Sequence, residues 1–263
     1  MSEQIINKSI IVEIDPPVAK VTLNRPDARN ALNPQMLQEI IEALKLVEQA
    51  GSVRALVITG TGDVFCAGGD IKWFMGLRDK SREEVIEEVS IISECMVALY
   101  ECPLPTIAIV NGHAFGGGCG LAAACDFSIA SEDAMFSVSE VKLGMIPSPL
   151  IPIVVKKLGE ARSRRLMLSG TRFTAKEAQE YGLIGKVFPR VELAKCAEPL
   201  INTLVKGSPN AIAETKRLIR ELPEMKLEDT HGKIAEALAD VILHDEAGEG
   251  MRAFYEKREP EWR

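Results

Sequence analysis

Two segments of this chain are centred on runs of glycine and alanine, and both could offer backbone N–H groups to a ligand. The first is Phe65-Cys66-Ala67-Gly68-Gly69-Asp70-Ile71-Lys72; the second is Asn111-Gly112-His113-Ala114-Phe115-Gly116-Gly117-Gly118. Glycine has no Cβ, so a ligand atom can come close to its amide. The second segment runs into a predicted helix, whose first N–H groups have no partner within the helix and carry the positive end of its dipole. Such a place suits an anion, or an oxygen that gains negative charge during a reaction. Neither segment is a familiar phosphate loop. No GxxxxGK[ST] spacing occurs, and Gly112 with the glycines at 116–118 does not fit GxGxxG. Tight packing turns are the alternative reading of each.

Glu140 is a candidate for acid/base work, or else a surface carboxylate beside Lys142. His113 sits in the second glycine segment, where a lone histidine is read as packed and hydrogen-bonded. Asp70 is read as fixing its own loop or capping the helix after it, and Asp126 as a cap or packing residue. The three histidines, His113, His231 and His244, form no HExxH or other close ligand spacing, so no metal is expected. None of the six cysteines forms a CxxC pair, which points to reduced thiols. Cys119 and Cys125 lie among small apolar residues and are read as core.

The elements that would position these groups follow from periodicity. Strands are expected over 9–15 and 18–23, with Asp15-Pro16-Pro17 as the turn. Asn33 before Pro34 reads as an N-cap and first-turn proline, followed by a stripe of Met36, Leu37, Ile40, Ile41, Leu44 and Val47. A buried strand is expected over 55–59, and a loop over 61–70. A helix over 83–100 would bury Val85, Ile86, Val89, Ile92, Met96 and Leu99. Further strands are expected at 106–110, 126–130, 135–138 and 184–188, and helices at 118–124 and 175–181. Past Pro149 the chain turns mostly helical, with helical patterns over 191–206, 209–221, 227–243 and 245–257. The class is therefore α/β. A soft boundary near 191–207 divides a core, 1–195, from a helical region, 196–263.

With 263 residues, 46% hydrophobic and 26% charged, the chain can bury a large core as one domain or one domain with an appendage. A net charge of -7 with no long basic run argues against a nucleic-acid partner. No segment is apolar and long enough to span a membrane, and the first eight residues lack a signal-peptide pattern, so a cytoplasmic protein is expected.

Several short motifs occur in a telling order. Asn24-Arg25-Pro26, Asn30-Ala31-Leu32, both glycine segments with Cys119, and Ala124-Cys125-Asp126 resemble successive signatures of the crotonase superfamily, the enoyl-CoA hydratases and isomerases. Phe136, Glu140, Leu143-Gly144-Met145-Ile146-Pro147, Leu168-Ser169-Gly170, Ala175, Ala178 and Gly182-Leu183 continue the series. Glu249-Gly250, Ala253-Phe254, Glu256-Lys257-Arg258, Pro260 and Trp262 are similar to the family's C-terminal helix. The resemblance covers nearly the whole chain, and it is the ordered set that carries it.

The resemblance implies a spiral of ββα units with a helical C-terminal region that assembles a homotrimer or a dimer of trimers. It implies an acyl-CoA thioester as substrate and no separate cofactor. Motif matching places the two backbone donors for the thioester oxygen at Gly69 and Gly117, and the acid/base carboxylate at Glu140. Arg29 matches a position that contacts the CoA phosphates, a role that suits a guanidinium; a solvated arginine is the alternative. Phe254 and Lys257 match positions that complete the CoA site, sometimes in a neighbouring subunit. Ala31, Ala67, Gly68, Asp70, Ile71 and Gly120 complete the expected substrate contacts. Trp73, Phe74 and Met75 are read as acyl-pocket lining or as an apolar cover.

One position departs from the family pattern. Hydratases of the family carry a second glutamate where this chain has Gly120. That argues against the two-glutamate route to hydration. One glutamate could deliver a water and then protonate Cα if another group orients the water, with Ser139 or the space left at Gly120 as candidates. A proline-rich run, Ile146-Pro147-Ser148-Pro149-Leu150-Ile151, resembles members acting on branched acyl chains. The expectation is a hydratase for a branched or unusual 2-enoyl-CoA. An isomerase shifting a double bond from the β,γ to the α,β position is the close alternative. Decarboxylation, thioester hydrolysis and a non-catalytic CoA-binding scaffold are less favoured. A serine protease on a related fold is disfavoured because no Gly-x-Ser-x-Gly elbow occurs.

Overall fold

The computed structural model describes residues 3–262. The chain opens with a meander of three strands, β1 (Glu3–Ile6), β2 (Ile10–Asp15) and β3 (Val18–Leu23). Helix α1 (Pro34–Gln49) follows. Asn33 Oδ1 accepts the Met36 N–H at 2.9 Å, and Met36, Leu37, Ile40, Ile41, Leu44 and Val47 are all buried, as the spacing predicts.

A repeating unit then begins. β4 (Ala55–Gly60) is followed by the short β5 (Val64–Cys66), then α2 (Ile71–Leu77) and α3 (Arg82–Glu101). β6 (Thr106–Val110) is followed by β7 (His113–Phe115) and α4 (Gly117–Ala124). β8 (Phe127–Ser131) is followed by β9 (Met135–Ser137), α5 (Ile151–Leu158) and α6 (Glu160–Ser169). The first strand of each unit enters one sheet and the second strand another. β10 (Phe173–Thr174), α7 (Ala175–Tyr181) and β11 (Lys186–Phe188) close both sheets. The large sheet runs β1-β2-β3-β4-β6-β8-β11, parallel from β3 onward; the small one runs β10-β9-β7-β5. This is the expected spiral of ββα units.

β5 and β7 fall inside segments read as loops. Each has three residues, too few for an alternating pattern to register. The apolar stripe of α3 is buried only at its C-terminal end: Met96 and Leu99 are in the core, whereas Ile86 is exposed.

All eight residues of α4 are buried, which its small side chains permit. It lies in the main core with α1 and the C-terminal half of α3. Helix α8 (Leu193–Leu204) covers the opposite face of the large sheet, packing Leu200, Ile201 and Leu204 on Ala55, Val57 and Ile107. The boundary drawn between 195 and 196 therefore falls within a helix that belongs to the sheet. Beyond it lie α9 (Pro209–Glu221), α10 (Thr230–Leu243) and α11 (Asp245–Glu256). No helix among the described residues is long and apolar enough to cross a membrane.

Candidate active site

The first glycine loop leaves β5 and lies beside Leu32 as a one-rung parallel bridge. Leu32 N–H donates to Gly68 O at 2.7 Å, and Asp70 N–H donates to Leu32 O at 2.8 Å. Backbone groups alternate in direction along such a rung, so Gly69, between the two bonded residues, turns its N–H away from Leu32. Among the described residues that N–H donates to no backbone group. The second loop leaves β7 and turns at Gly116, with φ 47° and ψ -115°, a conformation open to glycine. Gly117 is then the first residue of α4, and its N–H has no acceptor within the helix.

The two loops touch. A Cβ at Gly68, where φ is 95°, would lie 3.7 Å from Gly116 Cα; one at Gly117 would lie 2.6 Å from Leu32 Cδ1. The unpaired amides of Gly69 and Gly117 thus flank a contact between Gly68 and Gly116.

Glu140 reaches the same contact. It opens a short 3-10 turn (Glu140–Leu143) after β9, and its Oε1 lies 2.6 Å from where a Gly116 Cβ would stand. Its Oε2 is buried without a hydrogen-bond partner. Burial raises the Glu140 pKa above the ordinary carboxylate value, partly offset by a hydrogen bond from its own backbone N–H. A half-buried carboxyl poised in this way is suited to taking up and returning a proton.

Two residues that the sequence reading did not single out hold the first loop. Arg25 donates from Nη1 to Ala31 O at 2.5 Å and from Nη2 to Asp70 Oδ2 at 2.9 Å. Asn30 is fully buried with φ 54°; its Oδ1 accepts the Arg25 N–H, and its Nδ2 donates to Thr61 O and Val64 O. Both stand in the Asn24-Arg25-Pro26 and Asn30-Ala31-Leu32 motifs, the one signal that could have flagged them. Asp70 caps α2 by accepting the Lys72 N–H. Burial raises its carboxyl, but the Arg25 hydrogen bond and charge, with the N–H groups of Lys72 and Trp73, outweigh that and leave its pKa lowered.

Ala31 and Ala67 are half-buried beside this clamp, and the Ala67 N–H donates to Arg29 O at 3.0 Å. Arg29, left-handed at φ 51°, and Ile71 are exposed. The Phe74 ring packs on Gly69, with Cε2 2.3 Å from where a Cβ would stand, and stacks with Trp73. His113 Nδ1 accepts the Met135 N–H at 3.1 Å, as a packed histidine would. Asp126 Oδ2 accepts from Thr106 and from Lys216 Nζ. Burial pushes the thiols of Cys66, Cys95 and Cys125 up to about 12, far from a reactive thiolate. Among the described residues no group of three or more His, Cys, Asp or Glu side chains is placed to hold a metal ion.

Gly120 corrects one expectation. The space beside it is filled: a Cβ there would lie 2.4 Å from Leu150 Cδ2 and 3.2 Å from Met96 Sδ. A side chain at 120 would require the ends of Leu150 and Met96 to move aside. Phe254, 87% exposed, and Lys257, which ends α11, make no hydrogen bond or ion pair to either glycine loop within the described chain. The tail after α11 is anchored elsewhere, by Trp262 Nε1 to Lys206 O and Arg54 Nη2 to Trp262 O.

Residues 13–263 match the sequence model of the family described as enoyl-CoA hydratase/isomerase. The chain is 37% identical over 243 residues to a putative enoyl-CoA hydratase of Thermus thermophilus, covering 92% of this chain and 96% of that one. It is 31% identical to the 2,3-dehydroadipyl-CoA hydratase of Escherichia coli, covering 97% and 98%. The crystal structure of an enoyl-CoA hydratase from Shewanella pealeana superposes with a TM-score of 0.92 at 33% identity, covering 97% and 96%.

Proposed function

This chain belongs to the enoyl-CoA hydratase/isomerase family, and from that premise we propose that it adds water to a 2-enoyl-CoA through one glutamate and two backbone amides. The observation that carries the reading is the approach of Glu140, its pKa raised by burial, to Gly116, where the two glycine loops meet. The thioester oxygen lies between the N–H groups of Gly69 and Gly117. As water attacks Cβ, the Glu140 carboxylate takes a water proton, and the double-bond electrons move onto the thioester oxygen. The enolate is held by the two amides, each worth about 2.7–4 kcal/mol by analogy with acyl-transfer enzymes. Glu140 then returns the proton to Cα. Both new bonds form on the carboxylate's side, which predicts syn addition. Arg29, with Lys257 and Phe254 of this or a neighbouring subunit, holds the CoA, and the apolar stripe Ile234, Leu238 and Ile242 on α10 lies within a homotrimer or dimer of trimers.

A branched or otherwise unusual acyl chain is the proposed substrate class, from the proline-rich run at 146–151. The Escherichia coli relative is named for 2,3-dehydroadipyl-CoA, an unbranched chain that ends in a carboxylate, which supports including carboxylated chains. A panel of straight, branched and carboxylated enoyl-CoAs, followed by loss of enoyl absorbance, tests this. Glu140→Gln should abolish the loss; unchanged activity in that variant removes Glu140 as the acid/base.

A second reading is favoured by one observation. With Gly120 in place of a second carboxylate, Glu140 alone is suited to a proton shift between Cγ and Cα. Solvent deuterium incorporation without water addition would select this isomerase.

A further inference from the structure

A single-carboxylate hydratase needs something to hold the attacking water. Gly120 is closed. Ser139 is half-buried, with its Cα packed against the Gly170 turn. Among the described residues two buried side-chain oxygens have no hydrogen-bond partner, Glu140 Oε2 and Ser137 Oγ. They belong to residues three apart in the chain, at the end of β9 and just beyond it. Buried polar groups are almost always paired, and an unpaired one calls for an explanation such as a bound water or a catalytic role.

Both residues meet Gly116. The carbonyl of Ser137 accepts the Gly116 N–H at 2.8 Å, and Glu140 Oε1 stands 2.6 Å from the Gly116 Cβ direction. Side chains alternate along a strand. Phe136 enters the core and stacks on Phe173, so the Ser137 hydroxyl takes the other face, in register with Phe115 just before the glycine turn. Ser137 is only 2% exposed, so bulk solvent does not satisfy its hydroxyl. A hydroxyl both donates and accepts, and a buried water wants two to four polar partners.

We infer that Ser137 Oγ and Glu140 Oε2 together hold the water that adds to the enoyl double bond. Ser137 is a positioning residue: it accepts one hydrogen bond from that water and aims its oxygen at Cβ, while Glu140 takes the other proton. The water oxygen bonds to Cβ, the proton goes to the carboxylate and then to Cα, and no other reactant is required. The inference rests on the hydratase reading above.

The test separates water addition from proton exchange. Ser137→Ala and Ser137→Gly each remove the hydroxyl without adding bulk; the alanine variant should keep the wild-type melting temperature, and the glycine variant should melt below it. Water addition to the best enoyl-CoA should lose about 100-fold in kcat, the scale of a misplaced reactant. Deuterium exchange at Cα or Cγ, which needs only Glu140, should hold within about threefold, as should KM. If addition is unchanged in both variants, or addition and exchange fall together, Ser137 does not position the water. If the wild-type protein exchanges deuterium but adds water to no enoyl-CoA, the hydratase reading itself has failed and the role of Ser137 goes with it.

Discussion

Gly116→Ala tests the geometry at its tightest point. The change has two separable effects. One is backbone strain: at φ 47° and ψ -115° an L-residue costs about 1–3 kcal/mol. The other is a collision, because the new methyl would stand 2.6 Å from Glu140 Oε1 and 3.4 Å from Cδ. The carboxyl must retreat by several tenths of an ångström, and a displacement approaching 1 Å can cost about 100-fold in rate. Gly182→Ala is the control. Its φ of 88° is also positive, in the left-handed turn that ends α7, but nothing lies within 4 Å of its Cβ direction. Both variants should melt lower, by about 2–4 °C for each kcal/mol lost. Gly116→Ala alone should lose about two orders of magnitude in kcat/KM, measured by enoyl absorbance, with the acid limb of its pH profile moved. Equal activity in the two variants would refute the placement of Glu140 over the glycine turn.

Three further outcomes follow. Glu140→Gln should raise the melting temperature at neutral pH while removing activity: burial lifts the folded pKa above the unfolded one, so native Glu140 loses stability as pH rises through that window, and glutamine does not; no stabilisation above pH 7 by calorimetry contradicts this. Arg25→Ala should cost about 1–3 kcal/mol in denaturant unfolding, and the Asp70 pKa should rise from its lowered position while the Lys72 and Trp73 N–H groups still oppose burial, detectable by carboxyl NMR. Leu238→Glu, in the exposed stripe of α10, should reduce the mass measured by light scattering to that of a monomer; an unchanged mass removes α10 from the assembly contact.

The readable parts of the fold were those with local causes. Helix α1 announced itself by Asn33, Pro34 and an apolar stripe, and α9 by its helical pattern over 209–221. The glycine loops and Glu140 were visible as residue types, and the ordered motifs joined them to one family. Contacts between distant segments were not readable. The Arg25–Asp70 pair spans 45 residues, and Asn30 bonds to carbonyls more than 30 residues away, so no periodicity reports them. Ser137 was passed over for the same reason: only folding reveals that its hydroxyl is buried without a partner. The filling of the Gly120 space by Leu150 and Met96 was equally hidden, since three separate elements meet there.

The most direct test of the enolate site is a crystal structure with a non-hydrolysable acyl-CoA bearing a charged enolate-like oxygen. That oxygen should lie about 2.7–3.1 Å from both the Gly69 and Gly117 nitrogens, with the Glu140 carboxyl facing the neighbouring carbon. An oxygen bound elsewhere, or reached by only one of the two amides, would contradict the account.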